Sequence, residues 1–520
     1  MSDLAFTPDA LTSACARIRE PLHVVREHTG GRARVGVCFS PPEPQSTEWL
    51  GTLPPLFPEW LGDRAFTEAH GTRFAYCTGA MANGIATVEV VIAAARSGCL
   101  GFFGAAGLLP DRVASAVDRL SAELGDLPFG VNLIHSPQEP AVETAVSDLL
   151  VARGVRTVEA SAFMRITPAV VSYAAAGLTR RADGEIVRKN RIVAKVSRPE
   201  VARQYLMPAP QAMLDALVRE GKLSRLEADL ARKIAVAEDL TVEADSGGHT
   251  DNQPLVAMFP VIAELARSIA REQGYASVPR IGAAGGIGTP LSAAAAFGMG
   301  AAYILTGSVN QSAVEAGVAP AAKEMLARAQ IADMAMAPAA DMFEMGVEVQ
   351  VLRRGTMFPA RALKLRELYQ RYMSLDAIPA EDRERLEREV FQGRLVDIWA
   401  QTEAFFAARD PQQLAKAAAD PHHRMALVFR WYLGKASRWA IDGDAQRVMD
   451  FQLWCGPSMG AFNDWVKGSF LEAPAARTVG QIALNLLEGA AVATRAGQLR
   501  TFGAAVPAAA FDYRPVPLGV

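Results

Sequence analysis

The sequence predicts an α/β protein built on a closed (β/α)8, or TIM, barrel. Three observations predict it. Eight short apolar stretches alternate with amphipathic helical patterns between residues 73 and 306. Most of these repeats run about 25 to 30 residues, the length of a βα unit. The densest glycine clusters come late, as Gly285-Gly286-Ile287-Gly288 and Thr306-Gly307-Ser308. They follow the seventh and eighth stretches, where such barrels commonly hold phosphate. An open Rossmann sheet is the alternative, but its glycine fingerprint follows the first strand, with an acid about 20 residues on. Here no charged residue occurs from Ile281 to Val314. That uncharged run is long enough for a membrane span, yet its glycines and Pro290 break a continuous helix and exclude one.

Residues 1 to about 70 read as an N-terminal extension. Pro41, Pro42, Pro44, Pro54, Pro55 and Pro58 make it stiff and irregular, and Trp49, Phe57 and Trp60 are expected to pack it onto another domain. The predicted barrel strands are Phe74–Cys77, Leu100–Phe103, Phe129–Leu133, Thr157–Ala160, Ile192–Val196, Leu240–Ala244, Arg280–Ala283 and Ala302–Leu305. Helices are expected over Val88–Arg96, Pro110–Leu124, Ala141–Ala152, Pro168–Ala176 and Pro254–Arg271, several of them opened by a proline in the first turn. The fifth and sixth strands are joined by a long helical insertion, about residues 205–237, broken near Gly221; a lid and a packing elaboration are both open readings. From 326 to 503 charged amphipathic patterns and five of the seven tryptophans predict a separate, mainly helical domain. Residues 504–520, rich in alanine and carrying Pro515 and Pro517, read as a loosely ordered tail. The barrel then occupies 71–325.

Net charge is −3, with no basic footprint for nucleic acid. Cys15, Cys38, Cys77, Cys99 and Cys455 lack metal-ligand spacing, and their scatter suits a reducing compartment. Met1-Ser2-Asp3-Leu4 shows no basic region leading into an apolar core, so a cytoplasmic enzyme without a signal peptide or membrane anchor is expected.

His249 is the foremost candidate for chemistry. It closes Asp245-Ser246-Gly247-Gly248-His249 at a strand's C-terminal end, where barrel enzymes place catalytic groups, and imidazole moves protons near neutral pH. The alternative is an imidazole bonded only to its own loop. His135 follows the third strand; His422 and His423 read as surface residues; His23, His28 and His70 stand in no motif. Asn132 and Lys195 are an amide and an ammonium that, in a barrel mouth, can bind the polar edge of a ring; an asparagine that only caps a turn is the alternative for Asn132. A lysine in an apolar strand needs a partner, and Asp245 is either that partner or a helix cap. No nucleophile elbow and no His/Cys metal cluster is evident.

Thr78-Gly79-Ala80-Met81-Ala82-Asn83-Gly84, Pro128-Phe129-Gly130-Val131-Asn132-Leu133, Asp245 to His249, Ala284-Gly285-Gly286-Ile287-Gly288 and Thr306-Gly307-Ser308 together resemble the nitronate monooxygenase flavoproteins. These are FMN-binding barrels that include FMN-dependent enoyl-acyl-carrier-protein reductases. Asn190 to Ala202, the following insertion, and the region from Met342-Phe343-Glu344-Met345-Gly346-Val347 to Phe462-Asn463 resemble the PfaD-type enoyl reductases, which act in trans on polyketide and polyunsaturated fatty acid synthases. The resemblance implies FMN across the barrel mouth and NADPH as co-substrate. Ala80, Met81, Asn132, Lys195, Gly247 and Gly248 would line the flavin, and Gly285, Gly286, Gly288, Thr306, Gly307 and Ser308 would hold its phosphate. His249 and Lys195 would be catalytic. The family's motif is Ser-Gly-His; Ser246-Gly247-Gly248-His249 carries one more glycine. An enoyl thioester on an acyl carrier protein is the implied substrate, and a homodimer the implied assembly. A nitronate monooxygenase, or a non-catalytic protein that docks on a synthase, remains the alternative.

Overall fold

The computed structural model describes residues 4–29, 32–42, 47–137 and 139–519. Pro44 of the proline-rich stretch, and Met1, Ser2 and Asp3, lie outside the described residues. The chain forms two compact units. One comprises Met1–Ala244, Asn252–Ala316 and Ala461–Val520; the other comprises Asp245–Asp251 and Gly317–Gly460.

The first unit opens with β1 (Leu22–Thr29), β2 (Arg32–Cys38) and β3 (Glu48–Leu53), an antiparallel sheet in the order β2-β1-β3. Its barrel strands are β4 (Tyr76–Thr78), β5 (Leu100–Phe103), β6 (Phe129–Ile134), β7 (Thr157–Ser161), β10 (Arg191–Val196), β11 (Asp239–Glu243), β13 (Arg280–Ala284) and β14 (Ile304–Thr306). A short hairpin, β8 (Thr179–Arg180) and β9 (Ile186–Val187), lies outside the barrel. The closed order is β10-β11-β13-β14-β4-β5-β6-β7, and every neighbouring pair is parallel. These strands read as apolar runs rather than alternations because both faces are covered. All eight predicted strands are present, with ends shifted by no more than two residues.

The barrel interior is packed by pairing large side chains with glycine. A Cβ on Gly282 would sit 2.4 Å from the Tyr303 ring, and one on Gly130 2.4 Å from Phe102. Phe66, on the helix Arg64–His70, stacks on Tyr303 at 4.2 Å. On the same helix His70 Nε2 lies 2.9 Å from Asp239, whose carboxylate also accepts from Arg280 Nε at 2.7 Å.

Two expectations for this unit need correction, and an open one is settled. The N-terminal extension is not irregular: its sheet and the helix Pro8–Ala16 share a core with Leu499, Ala504 and Ala510, while Trp49 and Trp60 are each 60% exposed. Proline density had masked β strands that stop short of the prolines. The tail is not loose: Gln481 Nε2 donates to Leu518 O (2.6 Å), and Val516 N donates to the buried Asn485 Oδ1 (2.9 Å). The insertion is a helix pair, Gln211–Arg219 and Arg225–Ala231, that packs against the outer helix Pro168–Ala175, as a packing elaboration does.

The second unit is mainly helical around a small antiparallel sheet, β12 (Gly248–His249), β15 (Met334–Pro338) and β16 (Glu348–Leu352), in the order β12-β16-β15. Phe343, Phe358, Phe391, Phe429 and Tyr432 form its core, with Trp399, Trp431, Trp439 and Trp454 packed against it. Asp450, fully buried, accepts from Tyr432 Oη at 2.7 Å and from Arg447 at 3.1 Å. His422 and His423 are not surface groups. Rings of His422 and Tyr369 stack at 3.9 Å, and His423 Nε2 lies 2.9 Å from Gln413 Oε1. The sequence placed a helical domain at 326–503, whereas residues 461–503 pack with the barrel unit.

Candidate functional site

Within the barrel unit the C-terminal strand ends converge on a buried polar cluster. Lys195, on β10, is 12% exposed, and its Nζ lies 2.8 Å from Glu243 Oε1 on β11 and 3.3 Å from Glu159 Oε1 on β7. Its partners are therefore Glu159 and Glu243, not Asp245, whose Oδ1 instead accepts from Gln350 Nε2 at 2.7 Å. Burial opposes the lysine's charge, but Glu243 and Glu159 outweigh it and hold the ammonium above its ordinary pKa. Burial pushes the Glu159 carboxyl upward, against the pull of Lys195 and the Ala80 amide.

Asn132 and Ala80 belong to the same cluster. Asn132 Nδ2 donates to Glu159 O and to Ser161 Oγ, both at 3.0 Å; Ser161 Oγ donates to Glu159 Oε1 at 3.2 Å. The Ala80 amide donates to Glu159 Oε2 at 2.9 Å. Strands β4 and β7 stand three places apart in the barrel order, so this last bond crosses the interior. Met81 follows, its carbonyl packed against the bare Cα of Gly104. Glu159, Glu243 and Ser161 were not singled out from the sequence. The available signal was a carboxylate inside an apolar strand covered on both faces, which requires a cation nearby.

The two glycine turns are neighbours, because β13 and β14 are paired through Ala283–Ile304 and Ala284–Leu305. Gly285 and Gly286 both take positive φ, +82° and +70°, which other residues adopt at a cost. A Cβ at Gly286 or at Gly307 would meet nothing within 4 Å. Beside them Thr289 caps the helix Pro290–Gly298 in a capping box with Ser292. Open glycine backbone on adjacent turns, with a helix start alongside, fits a phosphate. Two of the expected phosphate contacts are already engaged within the chain. The Thr306 hydroxyl is buried between Tyr76 Oη (2.5 Å) and Asn310 Nδ2 (2.9 Å), and the Gly288 amide donates to Ser292 Oγ (3.1 Å). Ser308 opens the short helix Ser308–Gln311.

His249 lies on β12 in the second unit, where His249 pairs with Val349 and Gly248 with Gln350. Its Nε2 is 3.5 Å from Asp341 Oδ1. Against the opposing effect of burial, that imidazole holds the Asp341 carboxyl below its ordinary range. A Cβ on Gly247 would sit 2.7 Å from the Cys455 amide nitrogen, so this glycine makes room for a backbone crossing. Gly248 has φ +80°. His135 is held at 3.0 Å from Glu143 and stacks on Phe163 at 5.0 Å, which accounts for it as a brace. A cleft of about 450 Å³ between the helices Val88–Arg96 and Pro110–Leu124 is lined by Glu89, Arg96, Arg119, Glu123 and Glu315. Its Arg119 is paired to Glu89 and Glu123, and none of the cluster described above reaches it. Among the described residues no helix is long and apolar enough to cross a membrane, and no group of three His, Cys, Asp or Glu is placed to bind a metal. All five cysteines are buried.

The chain is similar to known proteins along most of its length. Residues 65–393 match the family model described as nitronate monooxygenase, and residues 372–451 match the inserted helical domain of [acyl-carrier-protein] S-malonyltransferase. The chain is 47% identical over 465 residues to a polyunsaturated fatty acid synthase component of Thraustochytrium, covering 88% of this chain and 31% of that protein. It is 44% identical over 435 residues to the polyketide biosynthesis protein PksE of Bacillus subtilis, covering 84% of this chain and 56% of that protein. The chain thus spans only part of these curated relatives. The crystal structure of the enoyl reductase domain of MlnA, from the macrolactin cluster of Bacillus amyloliquefaciens, superposes with TM-score 0.81 at 39% identity, covering 85% of this chain and 99% of that one. A point mutant of FabK from Thermotoga maritima, at 18% identity and TM-score 0.51, shares the fold.

Proposed function

The chain belongs to the nitronate monooxygenase family, and from that premise we propose that it is an FMN-dependent enoyl reductase that saturates the 2,3 double bond of enoyl thioesters carried on an acyl carrier protein, with NADPH as hydride source. The observation that carries this reading is the pair of open glycine turns on adjacent strands of the barrel that also holds the Lys195 cluster. Likeness to an enoyl reductase domain, and to synthase proteins, supports the substrate class. It also supports a carrier protein as partner; a homodimer in the cytoplasm is part of the same proposal.

The backbone of Gly285, Gly286, Gly307 and Ser308 would hold the phosphate of FMN, with Gly288 and Thr306 bracing those turns, while Ala80, Met81, Asn132 and Lys195 would line its ring. When bound, FMN supplies the hydride relay from a nicotinamide to the β-carbon of an enoyl thioester. The residues of the chain do the rest. Lys195, kept cationic by two carboxylates, offers a fixed positive charge in a site of low dielectric, where such a charge stabilises developing negative charge best. Glu159, tied to Ala80, Ser161 and Lys195, keeps these donors from relaxing. His249, oriented by Asp341, is the proposed proton donor to the substrate α-carbon; Gly247 and Gly248 set its backbone.

Two measurements test the reading. Anaerobic mixing with NADPH is expected to bleach the bound flavin, and crotonyl-carrier protein is expected to gain two hydrogens by mass. A nitronate monooxygenase needs no nicotinamide, so an unbleached flavin that turns over nitronate defeats the reductase assignment. His249→Ala is expected to retain flavin and lose about 10² to 10⁴-fold in turnover, the usual worth of general acid catalysis. A loss under about tenfold removes the imidazole from the proton step.

A further inference from the structure

Glu159 has no surface exposure, yet it contacts more of the cluster than any other side chain described there. One carboxylate oxygen accepts the Ala80 amide from across the barrel (2.9 Å). The other accepts from Ser161 Oγ (3.2 Å) and lies 3.3 Å from Lys195 Nζ. Through Ser161 it reaches Asn132, which also donates to the Glu159 carbonyl. Lys195 needs only one carboxylate for neutrality, and Glu243 at 2.8 Å supplies it. Glu159 is therefore a second carboxylate beside one ammonium, and it carries a desolvation cost that a merely structural strand residue has no reason to carry. Such a charge beside the lysine weakens the field that lysine projects, while the bonds to Ala80 and Ser161 fix where it points.

We propose that Glu159 is a positioning residue that locks Ala80, Asn132 and Lys195 into one hydrogen-bonded unit and sets the reduction potential of the bound flavin. The proposal rests on the FMN reading above. It concerns the equilibrium between two redox states of the cofactor, separate from catalysis of substrate turnover.

The test uses the full-length protein loaded with FMN. The dissociation constants of oxidised and reduced FMN, and the midpoint potential, are measured for the native chain and for Glu159→Gln. Glutamine keeps the size and an oxygen for the Ala80 amide but removes the charge. Reduced flavin, being anionic, is expected to gain about tenfold in affinity relative to oxidised flavin, an upward shift of about 30 mV for a two-electron couple. An unchanged potential in a folded, flavin-loaded Glu159→Gln protein overturns the proposal while leaving the FMN reading intact. Failure of the native chain to bind FMN overturns both. Should Glu159→Gln not accumulate folded, Ser161→Ala carries the test. It removes the hydroxyl bridge from Asn132 to the Glu159 carboxylate, leaving the Asn132 bond to the Glu159 carbonyl and touching no charge, and is expected to weaken FMN binding about threefold to tenfold, the worth of a hydrogen bond. Native affinity in Ser161→Ala then overturns the proposal.

Discussion

Asp239 accepts from Arg280 and contacts His70 while wholly buried at the start of β11. Its carboxyl sits at about 2: burial pushes it upward, and His70 and Arg280 more than offset that. A carboxylate with a depressed native pKa stabilises the fold fully above its unfolded value of about 3.9, and loses that contribution as pH falls towards the native value. Asp239→Ala is expected to cost about 3 kcal/mol near neutral pH, because it removes the buried carboxylate that His70 and Arg280 share and leaves Arg280 only the partly exposed Glu238. Urea titrations at several pH values check this: the gap between native and variant should narrow between about pH 4 and pH 2 and stay constant above. None of this was legible in the sequence. His70 stands in no motif, and its partner is 169 residues away. Glu159 was hidden similarly, since an acid within Thr157-Val158-Glu159-Ala160 names no partner until the strand order is known. Lys195 was legible for the converse reason: an ammonium in an apolar strand demands a counter-charge, though not which one.

At the scale of elements, the strands and helices of the barrel were readable because each carries its own signal, an apolar run or a proline-opened helix. The C-terminal tail carries none. Its anchors, Gln481 and Asn485, lie on the helix Val479–Thr501, and alanine and proline composition says nothing about an amide waiting on another element. Deleting residues 513–520 removes the bonds that Tyr513, Val516 and Leu518 make to that helix. It leaves the buried Asn485 short of partners, at an expected cost of about 1 to 3 kcal/mol. Hydrogen exchange should report it as faster amide turnover along Val479–Thr501, with the barrel strands far from that helix unchanged.

The molecule forms two compact units, and four of its seven tryptophans (Trp399, Trp431, Trp439 and Trp454) report on the core of the second. Denaturation followed by tryptophan emission and by release of bound flavin should therefore give transitions that do not coincide, a departure from two-state behaviour expected of separate units. Coincident curves would mean that the units melt as one. The sequence showed that a second unit exists, through its change of charge pattern and tryptophan content. It did not show that residues 461–520 return to the first unit, nor that residues 245–251 leave it, because which unit a segment joins depends on long-range packing that no local pattern encodes. The excursion at 245–251 imposes a rule of its own. Successive residues on a strand face opposite sides, and β12 is pinned to β16 at Gly248 and His249. Removing either Gly247 or Gly248 is therefore expected to slip β12 against β16 by one place and face the imidazole the other way, whereas a slip of two places keeps its side.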